Sequence, residues 1–281
     1  MKIDIFQIDA FTDKMFSGST SAVCPLENWI DDDLMQNIAE QINLSKTAFI
    51  AKKELSLYEI RWFTPKNEIT LYEHAAVASA YVIFNYLDEK QTNITLRSLG
   101  NDIKISKEGD FISSCFTCNM PTLHTQSNPI FSLAMGIEPL KILKDKDYIL
   151  IFENEEIIKN LKPKIEVLKS LDLRGICIAA RGDDSDFVFR YFAPKLGVDE
   201  DLIINSLCSQ LAPYWSKVLD KNELKAVQIS NRRSEIFCNV EDGKVTIKAK
   251  ATLFMRGEII IEERAYPREG EASTNKLAIA V

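Results

Sequence analysis

The opening run Met1-Lys2-Ile3-Asp4-Ile5-Phe6-Gln7-Ile8-Asp9 alternates apolar with polar side chains and predicts a strand over about residues 2–11. A turn follows through Phe16-Ser17-Gly18-Ser19. Asp31, Asp32 and Asp33 then precede Leu34, Ile38 and Ile42, which recur at helical spacing. Acids suit the positive end of a helix. Strand-like runs come next at 47–51 and 58–63. From 72 to 87 the pattern changes, with almost no polar side left, and a helix that is apolar all round is buried all round. Strands near 93–96 and 102–106 follow it.

The plan then repeats. Strands near 148–152, 175–180 and 187–192 lead to a second largely apolar helix at 207–219, and strands at 235–240, 244–251 and 259–263 close the chain. Strands, one buried helix and strands again in each half predict an α+β fold of two similar domains, each a curved mixed or antiparallel sheet wrapped around a central helix. The expected boundary lies near Met120-Pro121, giving halves 1–120 and 121–281, with a strand near 268–281 returning to the first half.

Composition narrows the function. The 281 residues are 46% hydrophobic and 27% charged, enough for a large core, and the net charge of -7 argues against a nucleic-acid groove. No run of about 18 apolar residues is present to span a membrane. The acid-bearing start does not read as a signal peptide, so a cytoplasmic location is expected. Two histidines (His74, His124) and six scattered cysteines leave few ligands for a zinc site, and no metal is expected. Cys115 and Cys118 form a lone C-x-x-C on an apolar, strand-like stretch, and buried reduced thiols are the expected state. Ten glycines are few, and no phosphate-cradling spacing occurs, so no nucleotide cofactor is expected.

Two buried helices can aim their N-termini at one cleft, where unpaired N–H groups and the dipole favour a carboxylate. The residues at those starts are Thr70-Leu71-Tyr72-Glu73-His74 and Asp201 to Cys208. In this setting the blocks Phe11-Thr12-Asp13-Lys14, Phe16-Ser17-Gly18, Asn43-Leu44-Ser45, Arg61-Trp62-Phe63-Thr64-Pro65, Arg190-Tyr191-Phe192-Ala193-Pro194-Lys195 and Leu211-Ala212-Pro213-Tyr214-Trp215 resemble the PhzF (phenazine-biosynthesis-like) family, with Gln228 and Ser230 continuing the match. The resemblance runs over nearly the whole chain. It implies a diaminopimelate-epimerase-like fold, a homodimer, and a cofactor-free site between the halves that moves protons on a small carboxylate-bearing molecule.

The resemblance also marks departures. Where the family carries its acid/base glutamate, after Asn-Leu-Ser, this chain has Lys46. The family's Leu-Cys-Gly-His is here Leu71-Tyr72-Glu73-His74. At the second helix start Asp201 and Ser206 match, whereas Asn205 and Cys208 replace a glycine and a histidine, and the family's Arg-Gly-Gly is Arg232-Arg233-Ser234. A lysine is normally protonated, and acts as a base only if its pKa falls.

Candidate catalytic residues are therefore Lys46, Glu73, His74 and Asp201, with Tyr72, Asn205, Ser206 and Cys208 as substrate contacts. Plainer roles stand beside these. Thr70-x-x-Glu73 is a capping box, although Glu73 could instead place a carboxylate in the substrate's pocket, paired with Lys46. His74 is a core residue or a proton relay, and Asp201 a cap-region acid or a site acid. Cys208 reads as packing as well as a contact, and Arg232-Arg233 as solvated surface or an anion clamp. Two functions follow: an isomerase-like enzyme with altered chemistry, or a binding or scaffold protein that kept the fold after catalysis lapsed.

Overall fold

The computed structural model describes residues 1–69, 73–99, 101–125, 129–172, 175–196, 198–201 and 205–262. The first half supplies β1 (Lys2–Ala10), β2 (Ser19–Leu26), α1 (Asp32–Ile42), β3 (Thr47–Glu54), β4 (Leu57–Phe63), β5 (Glu68–Ile69), α2 (Glu73–Val82), β6 (Asn93–Ser98), β7 (Asn101–Glu108) and β8 (Phe111–Thr117). Next come β9 (Thr122–Leu123), α3 (Pro129–Met135), β10 (Lys141–Lys144), β11 (Tyr148–Ile151), α4 (Glu155–Asn160), α5 (Ile165–Leu168), β12 (Ile176–Arg181) and β13 (Phe187–Ala193). The chain continues through β14 (Val198–Asp201), α6 (Asn205–Leu219), β15 (Glu223–Gln228), β16 (Ser234–Glu241), β17 (Lys244–Ala249) and β18 (Ala251–Ile260).

The ladders join into one winding path. It runs β18, β1, β2, β3, β4, β6, β7, β8 around the first half. It crosses on the β8–β17 pair and continues β16, β15, β13, β12, β11, β10, β9 around the second. Among the described residues only β2–β3, β4–β6, β11–β12 and β13–β15 are parallel, and a helix is carried between the strands of each such pair.

The two central helices share one core. Ala76, Val77, Ala78 and Ala80 of α2 and Leu207, Cys208, Leu211, Ala212 and Trp215 of α6 belong to the same buried cluster. The small side chains of α2 let the sheet approach closely. Past Val82 the helix widens into a π-turn over Ile83–Leu87, closed by Asp88 N–H to Ile83 C=O at 2.8 Å. Outside the first sheet, α1 covers Ile3, Ile5, Cys24 and Phe49 with Leu34, Met35, Ile38 and Ala39, the stripe its spacing predicts.

Pro213 lies inside α6. It has no N–H for the carbonyl four residues earlier, that of Ser209. The crossover chain takes that acceptor: Asn119 N–H donates to Ser209 C=O at 2.9 Å, and its side-chain amide reaches Ser209 Oγ at 3.3 Å.

The structure differs from the sequence expectations at definite places. Strand β18 returns to the first half beside β1 at 251–260, earlier than the strand expected at 259–263, and the return expected near 268–281 lies outside the described residues. The C-x-x-C thiols are not buried as expected. Alternation on β8 turns Ile112 and Phe116 toward the core and Cys115 to solvent, and Cys118 is half-buried. None of the six cysteines is in a disulfide. Among the described residues no helix is long and apolar enough to cross a membrane, and no cluster of three His, Cys, Asp or Glu could hold a metal.

Candidate active site at the seam between the halves

Lys46 reaches the seam because of how α1 ends. Asn43 adopts the left-handed conformation at φ 53°, its N–H closing on Ala39 C=O, and the chain turns back toward β3. The carbonyl of Lys46 accepts from Ala22 N–H at 3.0 Å, which fixes the start of the β2–β3 register. Strand alternation then puts Lys46 on the face of Ala48 and Ile50, inside the core that surrounds α2. The residue is only 6% exposed. Burial pushes the amine below the ordinary lysine range, and the Asp201 carboxylate, coming from the second half, pulls it part of the way back.

Asp201 is held from two sides. Its strand β14 lies against β13 with Asp201 opposite Tyr191, and its carbonyl accepts from Gln228 Nε2 at 2.6 Å. Gln228 is fully buried and also donates to Ser230 Oγ at 3.3 Å. Next to it, Glu200 takes Arg190 in a two-pronged pair at 2.9 and 2.8 Å, while Arg190 also donates to the carbonyls of Ile158 and Leu161. Burial raises the Glu200 carboxyl, but the hydrogen bonds from Arg190 and Ser230 outweigh it and hold the group below its ordinary value.

Behind this strand is a polar group that residue-by-residue reading missed. Asp147 is fully buried and accepts from Tyr191 Oη at 2.7 Å and Gln210 Nε2 at 3.1 Å. The tyrosine hydroxyl fits there because residue 175 is glycine: a Cβ would lie 2.1 Å from it. The network ties β13 and the loop before β11 to α6, one turn in from the helix start. No spacing rule links positions 147, 191 and 210, so the sequence carried no signal for it.

A second clasp joins the halves. Arg232 donates to Gly18 C=O at 2.9 Å, to Ser17 C=O at 2.8 Å and to Asp9 Oδ1 at 2.8 Å. Asp9, only 2% exposed, also accepts from Phe16 N–H and Thr20 Oγ1. Gly18 is obligatory there, with φ +70° and Ala10 C=O 2.1 Å from where a Cβ would be. Arg232 is thus a bridge between the halves, neither of the roles expected for it. Little in the sequence warned of this, since Asp9 reads as one more polar position in the alternation of β1.

The remaining candidates divide cleanly. Cys208 is fully buried within the shared core, consistent with its packing role. Glu73 and His74 open α2, and Asn205 and Ser206 open α6, but the side chains of these four lie outside the described residues, as does Tyr72 entirely. The expected Lys46–Glu73 contact therefore lies outside them too. What the structure brings together is Lys46 and Asp201, 155 positions apart, near the start of α6.

Two sheet-wrapped helices meeting at a seam, with titratable side chains from both halves, define an epimerase-like α+β protein. The chain belongs to the phenazine biosynthesis-like protein family, whose model matches residues 8–257. An uncharacterized isomerase of Pseudomonas aeruginosa is 38% identical over 92% of this chain and 99% of its own length. A Bos taurus phenazine biosynthesis-like domain-containing protein is 34% identical over 92% and 99%. A PhzF-family structure from Enterococcus faecalis superposes with a TM-score of 0.89 at 35% identity, covering 93% of this chain and all of that one. A hydroxyproline epimerase from Agrobacterium vitis, 8% identical with a TM-score of 0.57 over 92% of each chain, shares the fold.

Proposed function

We propose that this protein is a cofactor-independent isomerase that moves a proton on a small carboxylate-bearing metabolite. The observation that carries the reading is the buried Lys46 within electrostatic reach of the Asp201 carboxylate of the other half. In this scheme the Asp201 carboxylate removes a C–H proton, the electron pair passes into an enolate, and Asp201 returns the proton to another carbon. The Lys46 ammonium stabilises the negative charge while it exists. Burial lowers its pKa, which eases its taking part in proton exchange as well. His74, by family resemblance, is the relay at the first helix start. Six cysteines without a disulfide favour a reducing compartment, and we place the protein in the cytoplasm.

A second reading is a binding protein whose catalysis has lapsed. It is favoured by the lysine at the family's glutamate position and by bulky Tyr72 and Glu73 where the family has small residues. Solvent-deuterium incorporation into a panel of small amino and hydroxy carboxylates separates the two. The isomerase reading expects incorporation that falls at least about a hundredfold in both Asp201→Asn and Lys46→Ala, the range typical of losing a general acid or base. Absence of incorporation across the panel, together with ligand-induced thermal stabilisation by one of its members, would favour the binding protein.

A further inference from the structure

A five-residue pattern occurs twice in the chain, as Arg61-Trp62-Phe63-Thr64-Pro65 and as Arg190-Tyr191-Phe192-Ala193-Pro194. Both copies fold alike. Arg61 grips both carboxylate oxygens of Glu68 through Nε and Nη2 at 2.7 Å each, and Arg190 grips Glu200 through the same two nitrogens at 2.9 and 2.8 Å. Each guanidinium lies over the phenylalanine two residues further on, at 5.4 and 5.0 Å. The strand ladders then set the halves in register. Thr47 pairs with Phe63 and Ile176 with Phe192, so Lys46 and Gly175 hold equivalent corners. Trp62 pairs with Ile69 and Tyr191 with Asp201, so Ile69 and Asp201 are equivalent as well. Of these four corners, Lys46 carries the charge in the first half and Asp201 in the second.

We propose that Arg61 is a positioning residue for Lys46, as Arg190 is for Asp201; the inference rests on the isomerase reading, in which those two groups act on the substrate. In the second half the hold is direct, because Glu200 precedes Asp201 in the chain. In the first half it runs through α1. The third prong of Arg61, Nη1, bonds Asp32 Oδ1 at 2.6 Å in the first turn of α1. One turn further along, Gln36 Nε2 donates to Thr64 C=O at 3.0 Å. Thr64 belongs to the repeated pattern, and its N–H closes on Asn67 C=O at 2.9 Å, in the turn that brings Glu68 back beside Phe63. The apolar stripe of α1 fixes which face is buried, but a stripe alone lets a helix slide along its axis. These two polar ties set that slide, and α1 ends at the Asn43 turn that leads to Lys46. Asp32 is exposed, so its ion pair adds little stability and serves alignment instead. A lysine at position 61 would keep the charge and lose the fork.

The test is Arg61→Lys in the full chain, with Arg190→Lys beside it. Arg97→Lys is the control: Arg97 forks Asp102 in the same way, at 2.7 and 2.8 Å, but joins two neighbouring strands and no helix. Hydrogen exchange read by mass spectrometry follows position directly. The peptide carrying Lys46 should exchange about tenfold faster in Arg61→Lys, and the peptide carrying Asp201 about tenfold faster in Arg190→Lys, with neither moved by Arg97→Lys. In solvent-deuterium labelling of the panel carboxylates, Arg61→Lys should lower kcat about tenfold while KM stays within about twofold, the split expected when alignment is lost and binding is kept. Unchanged exchange at Lys46, faster exchange spread evenly over the chain, or an unchanged kcat would each overturn the proposal. A wild type that labels no member of the panel, while Arg61→Lys still loosens Lys46, would overturn the isomerase reading alone and leave Arg61 as the residue that places Lys46.

Discussion

The two central helices do the same architectural task with different chemistry. α2 presents alanines and valines to a closely wrapped sheet. α6 combines a comparable apolar surface with Gln210, which reaches Asp147, and with Ser209, which receives Asn119. Packing alone specifies a face but leaves axial position soft, whereas hydrogen bonds to a buried carboxylate fix position along the axis. The second helix is thus the indexed one, and it follows directly on the strand that ends with Asp201. The contrast teaches that the helix beside Asp201 is fixed to a buried carboxylate, while the helix of the half supplying Lys46 rests chiefly on close packing of small side chains.

Three measurements sharpen or break this contrast. The largest effect is expected for Asp147→Ala, which removes the buried carboxylate that accepts from both the Tyr191 hydroxyl and the Gln210 amide. Unfolding free energy should drop by about 3 kcal/mol, read by urea titration; a loss below about 1 kcal/mol would mean the network does not index α6. Next is Ala78→Leu in α2, where extra methylenes meet a tight sheet and should cost about 2 kcal/mol. Tolerance of the leucine would show that α2 is loosely held. The smallest concerns Glu200. Its carboxyl is more acidic folded than unfolded, so its pairing with Arg190 contributes fully above the ordinary value of 4.5 and is lost as pH falls through the depressed folded value. Glu200→Gln should cost about 1 kcal/mol near neutrality, and melting curves of the variant and wild type should converge as the pH is lowered below 4.5. Parallel curves down to pH 3 would break the assignment.

Much of the scaffold was legible because period and burial coincide. The alternation of β1, the stripe of α1 and the all-apolar run of α2 each read directly as the element observed. β15 was not, since Glu223, Lys225 and Gln228 obscure its pattern, and β18 was expected to begin only at 259 because Arg256 and Glu258 look solvent-bound in isolation. Short α3, α4 and α5 are defined by packing under the second sheet more than by their own periodicity. Family resemblance pointed to Lys46 and Asp201 singly. Their meeting depends on where the Asn43 turn and the β13–β14 pairing send the chain, and no local pattern encodes that.

Proline 213 carries a consequence for how the two halves can move. Any residue with an amide hydrogen at that position would compete with Asn119 for the Ser209 oxygen and weaken the anchor of the connecting segment. The chain's passage from one half to the other is therefore bolted to the middle of a rigid rod, so a pivot at residue 119 is ruled out while that bolt is in place. Opening of the seam would have to bend elsewhere, because a missing amide hydrogen in α6 keeps the crossover in place.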